Sequence, residues 1–256
     1  MTGIVTGSTT LWGAALHAVR PEIAALPRRI AVVGNAPGLG RHAHAIDAAD
    51  WVIRFNNAAG FGAEAGRRVT HLCLLNFGGQ AAEWLEDPGF IRRPVLQAAG
   101  GFVLPIHPGP EALSHPWPLE ERRRAPGDHD WTPELAAALA PLGRPVWLMP
   151  GEWEEDCRRL LAAGGTPAHD GAASADRDEG DASPAPSSGF LAVRRLVEAP
   201  ELEGVPIDCY GFGFAGWEGH AWDAERRWFE DRVADGRLRL HVPDGANAEA
   251  RCPETA

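Results

Sequence analysis

The sequence predicts a three-layer α/β protein built on a mostly parallel sheet of about seven strands. Short apolar runs alternate with helix-period segments along most of the chain. Several of these runs are rich in Val, Ile and Leu with no polar alternation, and a glycine-rich turn follows the first. Runs without alternation suit strands covered on both faces, as parallel strands are. The strand–helix repetition then favours helices on both sides of one sheet.

Taken in order, strands are expected at residues 30–33, 51–55, 69–75, 102–106, 145–149, 206–210 and 238–242. Helices are expected at roughly 39–48, 80–86, 132–141, 152–163, 188–199 and 222–235; in the last, Trp222, Arg226, Phe229 and Val233 keep helical spacing and Gly236 ends it. Two stretches break the rhythm. Residues 107–131 are Pro-rich and irregular. Residues 164–186 are Gly, Ala, Asp and Pro with almost no apolar anchor, as in a flexible insertion. One domain over 1–244 is expected, with a disordered tail at 245–256.

Composition narrows the function. The 256 residues are 45% hydrophobic and 23% charged, a globular balance. A net charge of −11 argues against a nucleic-acid partner, which needs a basic surface. All 24 basic residues are arginines. A Walker loop, a Schiff-base enzyme and a Tyr-Lys pair each need a lysine, so all three are excluded. Cys73, Cys157, Cys209 and Cys252 have no metal-ligand spacing and read as reduced structural thiols, which fits the cytoplasm. The apolar patch at 11–16 is too short for a transmembrane segment and lacks the basic start of a signal peptide.

The chemistry concentrates at strand ends. In VVGNAPGLG, residues 32–40, an apolar strand enters a glycine turn and a helix, a geometry that offers backbone N–H groups to a phosphate. A tight turn without ligand is the alternative. The Gly34, Gly38 and Gly40 spacing also fits a short-chain dehydrogenase, but Tyr210 is the single tyrosine and no lysine follows it. In IDAADWVIRFNNA, residues 46–58, Arg54, Asn56 and Asn57 leave a strand at a point suited to a polar ligand; turn residues are the plainer reading. In PSSGFLA, Ser187 or Ser188 can cap a helix whose N-terminus Gly189 keeps open. His220 stands at the entrance of the last helix and Glu225 within its first turns; Glu225 is expected to orient or cap that helix, or to lie on its surface.

In chain order these pieces resemble the sialyltransferase family. VVGN, ID..D.VIRFNNA and G.R.TH, over about 31–71, resemble its large motif. PSSGFLA and CYGFG, about 186–213, resemble its small motif, and His220 with Glu225 its very small motif. The resemblance implies a variant GT-A, Rossmann-like fold, a CMP-sugar donor, a glycan or lipid-linked saccharide acceptor and a metal-independent inverting transfer. It implies His220 as catalytic base. The implied donor-binding set is Gly34, Asn35, Asn56, Asn57, Ser187, Ser188 and Gly189, supported by Arg54, Trp222 and Glu225. It implies no metal and no cofactor beyond the CMP-sugar substrate. The departures are specific. Ile30 stands where the animal enzymes often have a cysteine, and no His-Tyr element separates Gly213 from His220. The alternatives are a non-catalytic nucleotide-binding protein on this fold and an NAD(P)-binding oxidoreductase.

Rival signals are weaker. Asp128-His129-Asp130 imitates a DxD metal motif but sits in a Pro-rich acidic loop, and the acidic run 176–181 reads as a solvated loop rather than a calcium site. His42 and His44 read as surface residues and His71 as a buried one. Trp217 and Trp222 flank His220 and suit stacking on a base or sugar.

Overall fold

A computed structural model describes residues 11–16, 26–62, 64–109, 117–164 and 184–241. The expected tail at 245–256 and most of the insertion at 164–186 lie outside the described residues. Two edges of that insertion are inside. Gly164 closes a helix, and residues 184–186 run beside 219–220 through a parallel bridge between Ala185 and His220.

The architecture is α/β. Strands β1 (Ala14–Ala15), β2 (Ile30–Val33), β3 (Trp51–Phe55), β4 (His71–Cys73), β5 (Gly101–Leu104), β6 (Val146–Leu148), β7 (Ile207–Tyr210) and β8 (Arg239–His241) form one sheet. Its order is β1-β6-β5-β4-β3-β2-β7-β8. The seven strands from β2 to β8 are parallel, and β1 joins antiparallel to β6. The seven expected strands are those seven, most of them shortened at an end. The eighth, β1, was not expected, because two residues carry no periodicity. Gly13 admits it: at φ +102 an added Cβ would lie 2.1 Å from the Leu148 carbonyl oxygen.

Helices cover both faces. They are α1 (Ala43–Asp47), α2 (Gly79–Glu86), α3 (Pro94–Ala98), α4 (Leu119–Arg124), α5 (Thr132–Leu139), α6 (Trp153–Gly164), α7 (Ser188–Glu198) and α8 (Trp222–Ala234). Alternation along each strand sorts the core. Ile30, Val32, Ile53 and Val103 meet Phe190, Leu191 and Leu196 of α7 and Phe229 of α8 on one face. Leu72, Phe102, Leu104 and Val146 meet Trp84, Leu96, Leu135 and Leu139 of α2, α3 and α5 on the other. Ala31, Val33 and Val52 pack under Ile46 of α1. The short α3 and α4 fall in stretches whose pattern predicts no helix. Proline at the first position starts α3, and the charged LEERRR forms α4 although it offers no apolar stripe. Among the described residues no helix is long and apolar enough to cross a membrane.

Candidate functional site

The sheet order reverses at β2. The chain moves from β2 through β3 to β6 on one side, then returns to lay β7 on the other. In open α/β sheets the crevice beyond the carboxyl ends at such a reversal is where ligands bind. Here the β2 and β7 ends touch. Gly34 N donates to Tyr210 O at 2.8 Å and Ala36 N to Gly211 O at 3.1 Å. A Cβ on Gly34 would sit 2.4 Å from the Gly211 oxygen, so the glycine is required by β7 itself. This accounts for Gly34 without a ligand.

Three asparagines line this edge, one after each of β2, β3 and β4, and each ties to the chain leaving the next strand. Asn35 Nδ2 donates to Phe55 O at 3.4 Å, and its Oδ1 accepts from Ala59 N at 3.0 Å. Asn56, left-handed at φ 53, accepts from Leu75 N at 3.0 Å; asparagine tolerates that conformation better than most residues. Asn76 is fully buried. Its Oδ1 accepts from Ile106 N at 3.0 Å, and its Nδ2 donates to Ile106 O at 2.6 Å and to Thr132 Oγ1. The carbonyl oxygens of Asn35 and Asn56 each accept one backbone N–H. The sequence reading selects Asn35 and Asn56 and misses Asn76, although LLNFGG repeats the strand-then-asparagine pattern of IRFNN. A cavity of about 80 Å³ opens between Asn35, Pro37, Gly38, Ala59 and Gly60. A cavity of about 290 Å³, lined by Val197, Leu202, Val205, Pro206 and Leu238, lies at the amino end of β7, away from this edge.

The second half of the edge is the start of α7. Ser187 caps the helix, its Oγ accepting from Phe190 N at 3.1 Å. Glu225, 1% exposed, accepts from Ser187 N at 2.6 Å and from Ser187 Oγ at 2.7 Å. Burial raises the Glu225 carboxyl pKa, and the two Ser187 hydrogen bonds oppose that rise. Glu225 therefore pins α8 to α7 rather than capping its own helix or lying on the surface. It also corrects the expectation for Ser187, whose hydroxyl and amide hydrogens already go to this carboxylate. Ser188 and Gly189 remain as the helix-terminal N–H donors. Phe212, in the loop after β7, lies against Gly189 and packs its ring 6.4 Å from Phe55, so the two halves meet there.

His220 is held by the backbone next to that helix start. Its Nδ1 lies 2.9 Å from Ala185 O, and Ala185 N donates to Gly219 O at 2.8 Å. A carbonyl only accepts, so the proton sits on Nδ1 and Nε2 carries the lone pair. Burial lowers the imidazole pKa, opposed by the Ala185 bond, which favours the neutral ring. Trp217 and Trp222 stand edge-on to it, each with ring centroids 4.9 Å away. Trp222 Nε1 donates to Trp217 O, which fixes the enclosure.

Two expected ligand contacts are placed otherwise. Arg54 is fully buried beneath residues 58–62 and 64–68, donating to Arg68 O and Ala65 O with its guanidinium 5.3 Å from the Phe61 ring centroid. Burial lowers its pKa to about 10. It holds the loop that meets Asn35. The Asn57 oxygen is taken by Trp84 Nε1 and Arg93 Nη1, toward α2 and α3. The histidines also sort out. His71 opens β4 at the amino end, ringed by Trp12, Trp51 and Trp147, with burial lowering its pKa to about 4. His42 is not a free surface residue; it packs on Tyr210 and His241. Cys73, Cys157 and Cys209 are buried free thiols, and Cys252 lies outside the described residues.

The DxD-like run separates by burial. Asp128 is exposed, while Asp130 accepts from Thr132 Oγ1 and lies 3.4 Å from Asn76 Nδ2. No group of three metal-ligating side chains occurs among the described residues. Burial pushes the Asp130 carboxyl pKa up to about 6, with the Thr132 hydrogen bonds and Arg122 opposing and Glu134 adding. A carboxyl raised above its unfolded value of about 3.9 stabilises the fold below that value and loses the contribution as pH rises through the folded pKa. Asp130→Asn, neutral at all pH, is therefore expected to exceed the parent in stability by about 1–3 kcal/mol above pH ~7, and by little near pH ~4. Urea melts at both pH values check this; an equal difference at each would remove the burial argument.

The fold is α/β, with a parallel sheet whose strand order reverses at β2. No family model matches the chain. The urease operon 23 kDa accessory protein of Rhizobium meliloti (strain 1021) is 28% identical over 241 residues, covering 86% of this chain and 98% of that protein. A mammalian sialyltransferase structure overlaps 87% of this chain and 71% of its own at a TM-score of 0.48 and 15% identity. A second, in complex with Gal-beta-1-3GalNAc-ortho-nitrophenol, overlaps 84% and 69% at 0.42 and 18% identity. At these levels of likeness, function is read from the chain's own residues.

Proposed function

We propose that this chain is a glycosyltransferase resembling the sialyltransferases, moving a sialic-acid-type keto-sugar from a CMP-sugar to a saccharide hydroxyl with inversion and without a metal. The observation that carries the reading is His220. Burial favours its neutral form, its Nδ1 faces Ala185 O, and it is bridged to Ala185, three residues before the α7 start that holds Ser188 and Gly189. In the proposed step Nε2 takes the acceptor hydroxyl proton as that oxygen bonds the anomeric carbon. The carbon–oxygen bond to the CMP phosphate breaks on the opposite face, and the electron pair leaves with CMP. The Ser188 and Gly189 amides and the Asn56 carboxamide N–H would receive that charge, as oriented donors do in acyl and phosphoryl chemistry.

A second reading has its own support. The Glu225 carboxylate already occupies the Ser187 donors at the α7 start, where a leaving phosphate would want them, and the 28% relative is named a urease operon accessory protein. This favours a nucleotide-binding protein without turnover that serves a urease operon. Calorimetric titration with CMP, with UMP, AMP and NADH as controls and EDTA present, is the test. Selective CMP binding with turnover of CMP-sialic acid supports the transferase. CMP binding without turnover on a panel of acceptors supports the accessory reading. Tighter NADH binding, or no CMP binding, overturns both.

A further inference from the structure

We propose that Arg29 and Arg239 form a binding site for a doubly charged oxyanion of the phosphate or sulfate type, on the sheet face over β2, β7 and β8. The site stands apart from the transferase reading, because neither arginine belongs to the crevice at the carboxyl ends of the strands.

The sheet register builds it. Asp208 of β7 pairs with Ala31 of β2 on one side and with Arg239 of β8 on the other. Paired residues project to the same face, and Arg29 stands two positions before Ala31. The contacts agree. Arg29 Nε donates to Asp208 Oδ2 at 2.9 Å, and Arg239 Nη2 donates to the same oxygen at 2.9 Å. Arg239 Nε lies 2.8 Å from Oδ1, and His241 Nε2 lies 2.7 Å from it. Two guanidinium groups are thus fixed against one carboxylate oxygen.

Burial divides the cluster into a holder and a surface. Asp208 is fully buried, while the Arg29 and Arg239 side chains are 39% and 60% exposed. Burial works to raise the Asp208 carboxyl pKa, and the hydrogen bonds from His241, Arg239 and Arg29 overcome it and lower it. Stability is a weak account of such a cluster, because apolar packing commonly serves a core as well as a buried ion pair does. Holding two guanidinium groups side by side at the surface is what the buried carboxylate achieves.

The patch is cationic in a chain of net charge −11. Besides the two site arginines, Arg28 lies beside Arg29, and Arg41 donates to His42, whose ring packs on Tyr210 and His241. Against these stand Asp208 and Asp50. Asp50 is already engaged: it accepts from Arg28 N and Arg29 N and lies 3.6 Å from Arg28 Nη2. Asp235, at the end of α8, pairs with Arg232. Glu203, before β7, is exposed and hydrogen-bonds neither site arginine among the described residues.

The donors select the occupant. A guanidinium offers only N–H, so the outward side of the pair suits an acceptor and repels a cation. A planar guanidinium meets an oxyanion through two parallel N–H···O bonds. With two such groups beside one point, a single tetrahedral dianion can bridge both. Chloride has no separate oxygens with which to match two forks.

The test is an NMR titration of the full chain that follows the arginine Nε–H signals. Sulfate and inorganic phosphate are added at constant ionic strength against chloride, with CMP titrated in parallel. The Arg29 and Arg239 signals should shift and saturate, with a Kd of about 1 mM or tighter. Arg29→Gln and Arg239→Gln should each weaken sulfate binding about tenfold. Arg28→Gln removes the same charge one residue away and should change it less than about twofold. Melting temperatures check that the variants fold. Arg239→Lys keeps a cation for Asp208 but loses the planar fork, so it should still bind about threefold more weakly. Shifts that do not saturate, equal shifts with chloride, or an equal loss in Arg28→Gln would reduce the site to general charge screening and overturn it. Sulfate binding that CMP displaces and the Arg29 and Arg239 variants leave intact would place the anion in the crevice, and also overturns the site. Sulfate binding through Arg29 and Arg239 without any CMP binding upholds this site while the transferase reading fails.

Discussion

Asn76→Ala is expected to destabilise the protein by about 3 kcal/mol or more, seen as a fall in melting temperature of about 10 °C. The carboxamide is fully buried and makes both hydrogen bonds to Ile106, donating to its carbonyl and accepting from its N–H, and it also donates to Thr132 Oγ1. Alanine would leave the Ile106 N–H and C=O and the Thr132 hydroxyl without this partner, each at a cost of about 1–3 kcal/mol where water does not enter. Against a total stability of about 5–15 kcal/mol, such a loss is large. Asn76→Asp is a sharp control. It keeps an acceptor for Ile106 N but turns a carboxylate toward the Ile106 oxygen and Asp130, so it should not rescue. Urea unfolding read by tryptophan fluorescence gives the values. A loss under about 1 kcal/mol would mean that water substitutes for the side chain and that the tie is incidental.

The second large effect concerns turnover. His220→Ala is expected to reduce transfer by about 10²–10⁴-fold, the range for loss of a positioned base, with CMP affinity unchanged. The imidazole meets Ala185 O through Nδ1 and tryptophans on two sides, so under the proposed transfer truncation removes the lone pair and leaves the Asn35 and Asn56 edge in place. The pH profile carries independent information. A base whose pKa burial has lowered stays neutral to lower pH than free histidine. The acid limb of kcat/KM should therefore fall below the ordinary imidazole value of about 6.5, with activity lost as pH drops through it. Equal loss of transfer and CMP affinity would make His220 a structural or phosphate contact. An acid limb above that value would assign it to another group.

Much of this architecture is legible in the sequence because parallel strands announce themselves. IAVV, WVIRF and IDCY are largely apolar runs flanked by turn residues, and all three form interior strands of the sheet. The helix starting at Ser188 is legible from its cap and its apolar spacing. What escapes is decided by contacts distant in sequence. Two residues of β1 gain their identity only from β6. The role of Glu225 is set by a serine 38 positions earlier, which no local pattern encodes. Arg54 and Asn57 read as ligand groups because their neighbours in sequence do, yet Arg54 is buried beneath a loop and the Asn57 oxygen is held by Trp84 and Arg93. Asn76 carries the same strand-end signal as Asn56 and is passed over because a single asparagine after a strand is so often only a turn.

Main-chain pairing stops early along the functional edge: the ladder ends with Asn56 N on Cys73 O and Leu74 N on Val103 O. Beyond that line three carboxamides continue the work of the ladder, stitching loop to loop at right angles to the strands. Asparagine is the shortest side chain that presents a donor and an acceptor on two separate atoms; aspartate lacks the donor, and glutamine is longer by a methylene. The rim of the crevice is thus a laced hem rather than a set of free loops. Among the described residues, the stiffness that fine positioning requires is sewn into this rim by side chains rather than by the ladder.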